Sequence, residues 1–423
     1  MDTNQERVLS LATEAGHILL ENGAEISRVE ETIQHIATAY GVENESFYVL
    51  SNGIIATGQH YARAEFIPIK GTQLSRVVEV NQLSREVSGG TVSLDELETR
   101  LKTIRQSPAK PWWELTLGVA LGVSSFCLLF GGSFVDAATT FAAGLLLGLF
   151  MAFIGGKMTR IFGNLLGGLL GGLLCILSVR LNIGQHLPNM IIGTIIALVP
   201  GVPFTNGMRD IANEDYLSGT TRLLDAFLVF LCIALGVALA FLFDGALFGG
   251  MMLLGVPVAD IVTRAWYVQL PAAFIGTVGF AALFGTPRRY YLASGLTGML
   301  GWAVFIVLAW YTEWLSVAGA AFFGALTVAL ASGMLAVWRR CPTTVFLICG
   351  IIPLVPGGGI FWTAYYLVSN QLLLAITTGY SALKVTIAIA GGIITLAALT
   401  SRLQKRVNRR ISRSAFVRTI TQS

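Results

Sequence analysis

The sequence has few charges: Asp, Glu, Lys and Arg make up 12% of its 423 residues, against about 25% in soluble proteins. With 54% hydrophobic residues, the chain is too apolar to be water-soluble throughout. Of its 52 charged residues, 25 lie in residues 1–110, where 10 are basic and 15 acidic, and 20 lie in residues 111–400. This distribution predicts a soluble head of net charge −5 followed by a membrane-embedded region.

Sequence signals for several other classes of protein are missing. There is no GxxxxGK[ST] phosphate loop and no GxSxG elbow, and the head histidines lack metal-ligand spacing, so no enzyme, cofactor or metal is predicted. No basic patch is interleaved with aromatics, so the net charge of +4 does not indicate a nucleic-acid partner. The five cysteines lie singly in or beside apolar runs, without the spacing of a disulfide framework or zinc site: Cys127, Cys175, Cys232, Cys341 and Cys349.

Residues 1–110 predict a small α+β domain. Hydrophobic residues recur at helical spacing, and the predicted helices cover residues 4–20, 24–40, 72–87 and 93–105. Three short strands are predicted between them, over residues 47–50, 53–57 and 64–69. The polar start of the chain does not resemble a signal peptide, so we expect the head to lie in the cytoplasm. Arg28 and Glu30 fit a catalytic or substrate pair, but a solvated helix face explains them equally well.

Ten stretches approach the roughly 20 apolar residues that span a bilayer as a helix: residues 113–130, 134–154, 161–179, 187–207, 223–243, 266–285, 290–311, 314–337, 343–367 and 380–400. With the head inside, the inner loops hold eight Lys and Arg residues and the outer loops two, which agrees with the positive-inside rule. The sequence therefore predicts a multi-pass protein of the plasma (inner) membrane with both termini in the cytoplasm.

A short sequence repeat divides the membrane region. Residues 195–201 (IIALVPG) recur as residues 351–357 (IIPLVPG), with six of seven positions identical at an offset of 156. Because each half has five spans, the second enters from the opposite side, which predicts an inverted repeat of the kind common in secondary transporters. The predicted units are the repeats 111–243 and 266–400, an apolar interfacial linker 244–265 and a basic cytoplasmic tail 401–423.

Each copy of the repeat contains a predicted helix break. Pro200 and Pro356 remove a backbone donor inside a span, and Gly201, Gly357 and Gly358 loosen the same points. Free N–H groups at a broken helix suit the carboxylate of a substrate, so we assign these glycines to substrate binding. An ordinary proline kink at a packed interface is the alternative.

Polar residues near the breaks complete the predicted site. Thr205 and Asn206 follow the first break and are assigned to the substrate, together with Lys384 as a counter-charge, although snorkelling explains Lys384 equally well. Asp210 and Asp225 are predicted to couple protons, since ionisable residues inside a span are functional candidates. Asp225 could instead simply pair with the arginine one turn earlier on its helix.

Three segments resemble the threonine/serine exporter family: residues 15–31 (AGHILLENGAEISRVEE), residues 199–210 (VPGVPFTNGMRD) and residues 353–357 (PLVPG). The resemblance implies ten spans, a cytoplasmic head and export of threonine and serine driven by the proton-motive force. Similar proteins split into two chains are associated with dicarboxylate export. The second copy lacks the Arg-Asp pair of the first, so the predicted site is asymmetric.

Three functions follow as hypotheses. The first is alternating-access export of threonine and serine in exchange for protons, and the second is export of a dicarboxylate such as succinate. The third is a channel or sensor whose head binds a ligand. The expected partners are a small-molecule substrate, protons and the lipid bilayer, with a homo-oligomer as a further option.

Overall fold

The computed structural model describes residues 3–42, 46–58, 61–68, 71–249 and 265–421, and the chain is mainly helical. Most of the predicted interfacial linker, residues 250–264, lies outside these ranges. The described part contains sixteen α-helices, several short 3₁₀ turns and one small sheet.

The head consists of four helices packed around a three-stranded antiparallel sheet of order β1-β2-β3. Its elements are α1 (Thr3–Glu21), α2 (Ile26–Ala39), β1 (Ser46–Leu50), β2 (Gly53–Gly58), β3 (Tyr61–Phe66), α3 (Leu74–Ser88) and α4 (Leu94–Gln106). They enclose their own apolar core, in which Ile18, Ile33 and Val80 are fully buried. The predicted third strand begins three residues too late, because β3 pairs with β2 from Tyr61 opposite Gly58.

The remaining helices are apolar and pack into one continuous core. The first half contains α5 (Trp112–Leu129), α6 (Phe134–Phe153), α7 (Arg160–Arg180), α8 (Leu187–Ile195), α9 (Gly201–Ala212) and α10 (Tyr216–Phe248). The second half contains α11 (Trp266–Leu283), α12 (Tyr291–Tyr311), α13 (Val317–Arg339), α14 (Thr344–Ile351), α15 (Gly357–Val368) and α16 (Leu372–Thr421).

Eight helices in the described ranges are long and apolar enough to cross a membrane, and there are ten candidates if each of two bent pairs counts as one span. The pairs are α8 with α9, bent by 64°, and α14 with α15, bent by 53°. The predicted fifth and tenth spans are too short. In the structure, α10 begins seven residues before the predicted start of the fifth span and α16 begins eight before that of the tenth.

Helices α5 and α11 make reciprocal contacts. A Cβ atom added to Gly122 would lie 3.1 Å from the ring of Phe280, and one added to Gly276 would lie 3.0 Å from the ring of Phe126. The two glycines are 154 positions apart in the sequence, and so are the two phenylalanines. As residue numbers rise along α5 they fall along α11, so the two helices are antiparallel.

The third and fifth spans of each half also cross in the same way. A Cβ at Gly236 of α10 would lie 2.1 Å from the carbonyl oxygen of Leu165 in α7. At Gly392 of α16, 156 positions later, the corresponding distance is 2.5 Å to the carbonyl oxygen of Phe322 in α13. Glycine permits this approach because it brings no side chain between the two backbones.

The head is bonded directly to the membrane helices. The backbone N–H groups of Leu74 and Ser75, at the start of α3, donate to the carbonyl oxygens of Phe284 and Gly285 just after α11, each at 3.0 Å. These bonds fix the side of the helical region on which the head sits.

We expect Gly236→Ala to destabilise the protein by about 1–3 kcal/mol, since its methyl group would force α7 and α10 apart. The control is Gly333→Ala on α13, where no atom lies within 4 Å of the added Cβ. It should be neutral or stabilising by up to about 1 kcal/mol through helix propensity. Thermal unfolding of both variants in detergent checks this, and equal midpoints would contradict the close crossing.

Candidate functional site

The two helix breaks have nearly the same backbone conformation. Pro200 has φ −77° and ψ 61°, and Pro356 has φ −77° and ψ 52°. In each copy the first helix ends in a 3₁₀ turn, an extended valine precedes the proline, and the second helix begins at the glycine after it. Because proline has no N–H, leaving the helix at this position loses no backbone donor.

The two breaks also pack against each other. A Cβ at Gly201 would lie 2.5 Å from Cδ1 of Ile352, and a Cβ at Gly357 would lie 2.7 Å from Cδ1 of Ile196. The partners in both contacts are related by the offset of 156. The absence of a side chain at each glycine therefore leaves room for the isoleucine of the other break.

A cavity of 410 Å³ lies beside the second break. Its lining includes the break itself and aromatic and polar side chains from both halves: Phe130, Asn189, Ile192, Trp302, Phe305, Pro356, Gly358, Trp362, Thr377, Thr378 and Ser381. No residue of this lining is charged. Phe130 follows the end of α5 and Thr377 lies near the start of α16, so the cavity is towards the face opposite the head.

Two polar groups of the cavity have no protein partner. Asn189 is only 6% exposed, and within the described ranges its amide forms no hydrogen bond. The hydroxyl of Thr378 also has no hydrogen-bond partner among the residues described. Asn189 is buried in the cavity wall and Thr378 is half-buried. Since neither group bonds the protein, both are available to a ligand in the cavity.

The predicted substrate residues do not form one cluster. Gly358 and Pro356 line the cavity, whereas Gly201, Gly357, Thr205, Asn206 and Lys384 are absent from its lining. The Thr205 hydroxyl donates to the carbonyl oxygen of Gly201 at 2.8 Å. Lys384 is exposed, and its Nζ lies 4.7 Å from the ring centroid of Tyr380.

Asp210 lies at the junction with the head. It is buried and pairs with Arg222 at 2.8 Å, and it also accepts a bond from the N–H of Ile26 at 3.4 Å. Arg222 donates to the carbonyl oxygen of Ala24 at 3.1 Å. This carboxylate is therefore held by one arginine and by the start of α2, far from the cavity lining.

Asp225 is placed differently. It is about 42% exposed and pairs with Arg160 at 2.5 Å. The alternative reading, in which Asp225 pairs with the arginine one turn earlier, is wrong, because that arginine pairs with Asp210.

The turn between α1 and α2 contacts the first half closely. Asn206 donates to the carbonyl oxygen of Gly23 at 2.7 Å, and Arg209 forms an ion pair with Glu25 at 2.7 Å. The Nη1 of Arg209 and the Oε2 of Glu25 are close enough for an ion pair, but their geometry is not that of a hydrogen bond. Both the amide and the ion pair anchor the head turn to α9.

This head turn occupies a position equivalent to the cavity. Three cavity residues have counterparts 156 positions earlier: Gly358 with Val202, Trp362 with Asn206, and Thr378 with Arg222. Each first-half counterpart contacts the turn. A Cβ at Gly23 would lie 3.3 Å from Val202, and the other two bond the carbonyl oxygens of Gly23 and Ala24. At these three positions, the first half therefore contacts the head turn where the second half borders the cavity.

Sequence reasoning missed the uncharged part of the site because it weighed mainly ionisable residues. Asn189 and Ser381 lie inside predicted spans and were an available signal, whereas Thr377 and Thr378 lie just before the predicted start of the tenth span. The docking of the head turn had no such signal, because only tertiary structure brings it to α9.

Comparison with known proteins identifies the family. The ThrE family model, described as "Putative threonine/serine exporter", matches residues 10–243, and the ThrE_2 model, described as "Threonine/Serine exporter, ThrE", matches residues 269–399. The chain belongs to the threonine/serine exporter family. This membership confirms the resemblance drawn from the sequence, and it makes the protein a multi-pass membrane transporter of an exporter family and not an enzyme.

Individual relatives cover most of this exporter-family chain. It is 24% identical to the "Threonine/serine exporter" of Corynebacterium glutamicum, over 94% of this chain and 83% of the relative. It is also 24% identical to the "Probable threonine/serine exporter" of Mycobacterium tuberculosis, over 88% and 72%. The "Probable succinate transporter subunit YjjP" of Escherichia coli is 25% identical over 57% of this chain and 96% of the relative. No solved structure matches the chain.

Proposed function

We propose that this protein exports threonine and serine across the plasma membrane, and that the cavity beside the second break is its substrate site. The amide of Asn189 carries this proposal, because it lines the cavity without a hydrogen bond to the described protein and can therefore bond a substrate there. The Thr378 hydroxyl is a second free group, and a volume of 410 Å³ is ample for a small hydroxy amino acid.

The cavity suits an amino acid better than a dicarboxylate. The start of α15, at Gly358, can offer backbone N–H groups to one carboxylate, and the faces of Trp302 and Trp362 can attract an ammonium group. Two carboxylates would call for cationic side chains, and the lining contains none. Dicarboxylate export stays the second candidate because of the relatives named as succinate transporter subunits.

The proposed mechanism is alternating access between two inverted repeats. The antiparallel packing of α5 and α11, the paired glycine crossings and the reciprocal break contacts support an inverted relation of the halves. In such transporters one unit moves against the other around a central site. In the described conformation, a cavity lies towards the face opposite the head, and the head turn packs against α9 on the head side.

We assign the head side to the cytoplasm. Arg289, Arg339 and Arg340 lie near head helix α3, and cytoplasmic loops are rich in such residues. The head turn then closes the cytoplasmic entrance, and loading substrate from the cytoplasm requires it to leave α9.

Proton coupling is assigned to Asp210 and no longer to Asp225. Movement of the head turn would remove the Ile26 N–H from Asp210 and the Ala24 carbonyl from Arg222, loosening the buried pair. Asp210 would then be a carboxylate whose environment changes during the cycle. Asp225, exposed beside Arg160, lacks this link to the gate.

Counterflow in proteoliposomes loaded with threonine tests the substrate site. Labelled threonine and serine should exchange, whereas Asn189→Leu should slow exchange about tenfold or more by removing a substrate hydrogen bond. The fold should persist, since this change removes an unpaired buried amide. Asn164→Leu on α7, whose amide bonds its own helix, is the matched control.

Exchange of succinate without threonine would show that the amino-acid assignment is wrong. Normal threonine exchange by Asn189→Leu would instead exclude the cavity as the site. Movement of threonine across the membrane without any counterflow of labelled threonine would favour a channel.

Asp210→Asn should abolish the dependence of threonine export on a proton gradient, because an amide cannot exchange a proton, while exchange without a gradient continues. Asp225→Asn is the control and should respond to the gradient as the unchanged protein does. Asp210→Asn leaves the buried Arg222 without its ion-pair partner. If this makes the single variant unstable, the double variant with Arg222→Gln is used instead, because it has no unpaired buried charge. A gradient response that survives Asp210→Asn contradicts the assignment.

A disulfide can test whether the head turn must move. The Oγ of Ser27 and the Nδ2 of Asn213 lie 3.3 Å apart, so Ser27→Cys with Asn213→Cys should link head to α9, in a chain whose half-buried Cys232 is replaced by Ser. Oxidation should stop threonine export and reduction should restore it. Each single cysteine variant serves as a control, and export by the fully oxidised pair would contradict the gate.

A further inference from the structure

The head meets the second half at a separate, strongly basic pocket. A space of 340 Å³ lies between α3 and the loops that follow α11 and α13. Four arginines line it: Arg85 from the head, Arg289 from the loop after α11, and Arg339 and Arg340 from the C-terminal end of α13. Arginines on three separate segments thus converge on one space.

Within the described ranges, the four arginines of this pocket form no ion pair with a carboxylate, since no carboxylate oxygen lies within the 4.0 Å ion-pair limit of any of the four guanidinium groups. Glu86 is the acidic residue of the lining, and its carboxylate is bound by Arg100 at 2.6 Å. The Arg100 hydrogen bond holds the pKa of Glu86 below its ordinary value, so its charge is already paired. Glu79, on α3 between the lining residues Val78 and Gln82, is attracted to Arg289 but forms no described ion pair with it.

The backbone at Arg340 is also unusual. It caps α13 in the left-handed region, with φ 50° and ψ 49°, where glycine or asparagine is the usual residue. An arginine here keeps a disfavoured conformation and directs a fourth charge to the pocket.

Loop arginines alone have a simple explanation as orientation signals on the cytoplasmic side. That rule concerns residues next to the spans and does not account for Arg85, which lies on a helix of the head and faces the loop arginines. The pocket has an apolar floor as well, since Val78 and Tyr290 belong to a buried cluster with Cys341 and Phe346. It is therefore a formed site between two parts of the chain.

We propose that this pocket binds a phosphate-bearing anion, which joins the head to the second half. Arginine forks match phosphate oxygens in paired hydrogen bonds, and an anion between four guanidinium groups removes their mutual repulsion. Two sources share this chemistry: the headgroup of an anionic phospholipid and a soluble phosphate compound. Binding at this pocket is independent of what the cavity transports.

Binding to the full-length protein in detergent, stripped of lipid, tests the pocket with two probes. Pyrophosphate is measured by calorimetry, and phosphatidylglycerol by native mass spectrometry against phosphatidylcholine. Arg85→Gln should weaken binding about tenfold or more by removing a charged hydrogen bond. Arg340→Gly should weaken it too, with an unchanged or raised thermal midpoint, because glycine relieves the left-handed backbone. The matched control is Arg63→Gln, on exposed strand β3 outside the pocket lining.

A lipid headgroup site is identified if the protein binds phosphatidylglycerol but not pyrophosphate, and if both pocket variants lose the binding of phosphatidylglycerol. Pyrophosphate binding lost in the same variants identifies a soluble phosphate site. The pocket assignment is overturned if neither probe binds, or if the pocket variants bind as Arg63→Gln does. Since Arg340→Gly is expected to fold well, loss of binding in that variant reports on the charge and not on the stability.

Discussion

The contact between the two helix breaks is the constraint on which this structure depends. In a hydrocarbon environment, interrupted helices are tolerated only where protein or a polar cavity surrounds the exposed backbone. Gly201 against Ile352 and Gly357 against Ile196 bring the breaks together at the centre of the fold. One proline-glycine motif, used twice, therefore supplies both the packing of the halves and the backbone that borders the cavity.

The two halves differ in what occupies the space next to each break. Beside the second break, hydroxyl, amide and aromatic groups surround an open cavity. Beside the first, polar side chains at equivalent positions bind carbonyl oxygens of the head turn. Arg209, Asp210 and Arg222 of the first half are thus committed to the head turn, which gives the soluble domain a direct physical link to the membrane helices.

Much of the fold was accessible to sequence reasoning. Long apolar stretches predicted the spans, and helical periodicity predicted the four head helices, because both signals are local. The exceptions also have physical causes. β3 begins earlier than predicted because its register is set by pairing with β2. Helix α10 begins before its apolar window because helical hydrogen bonding continues through the polar residues 218–222.

By itself, the sequence determined the membrane region, the separate head, the two proline breaks and the family to which the chain belongs, since composition, hydropathy and motifs are properties of contiguous residues. Only the tertiary structure decided which polar groups share a site. Asp210 and Arg222 pair across two helices and meet Ala24, almost two hundred positions away, while Lys384 turns outward. Such choices depend on how helices rotate and cross, and that packing is set by the whole chain at once.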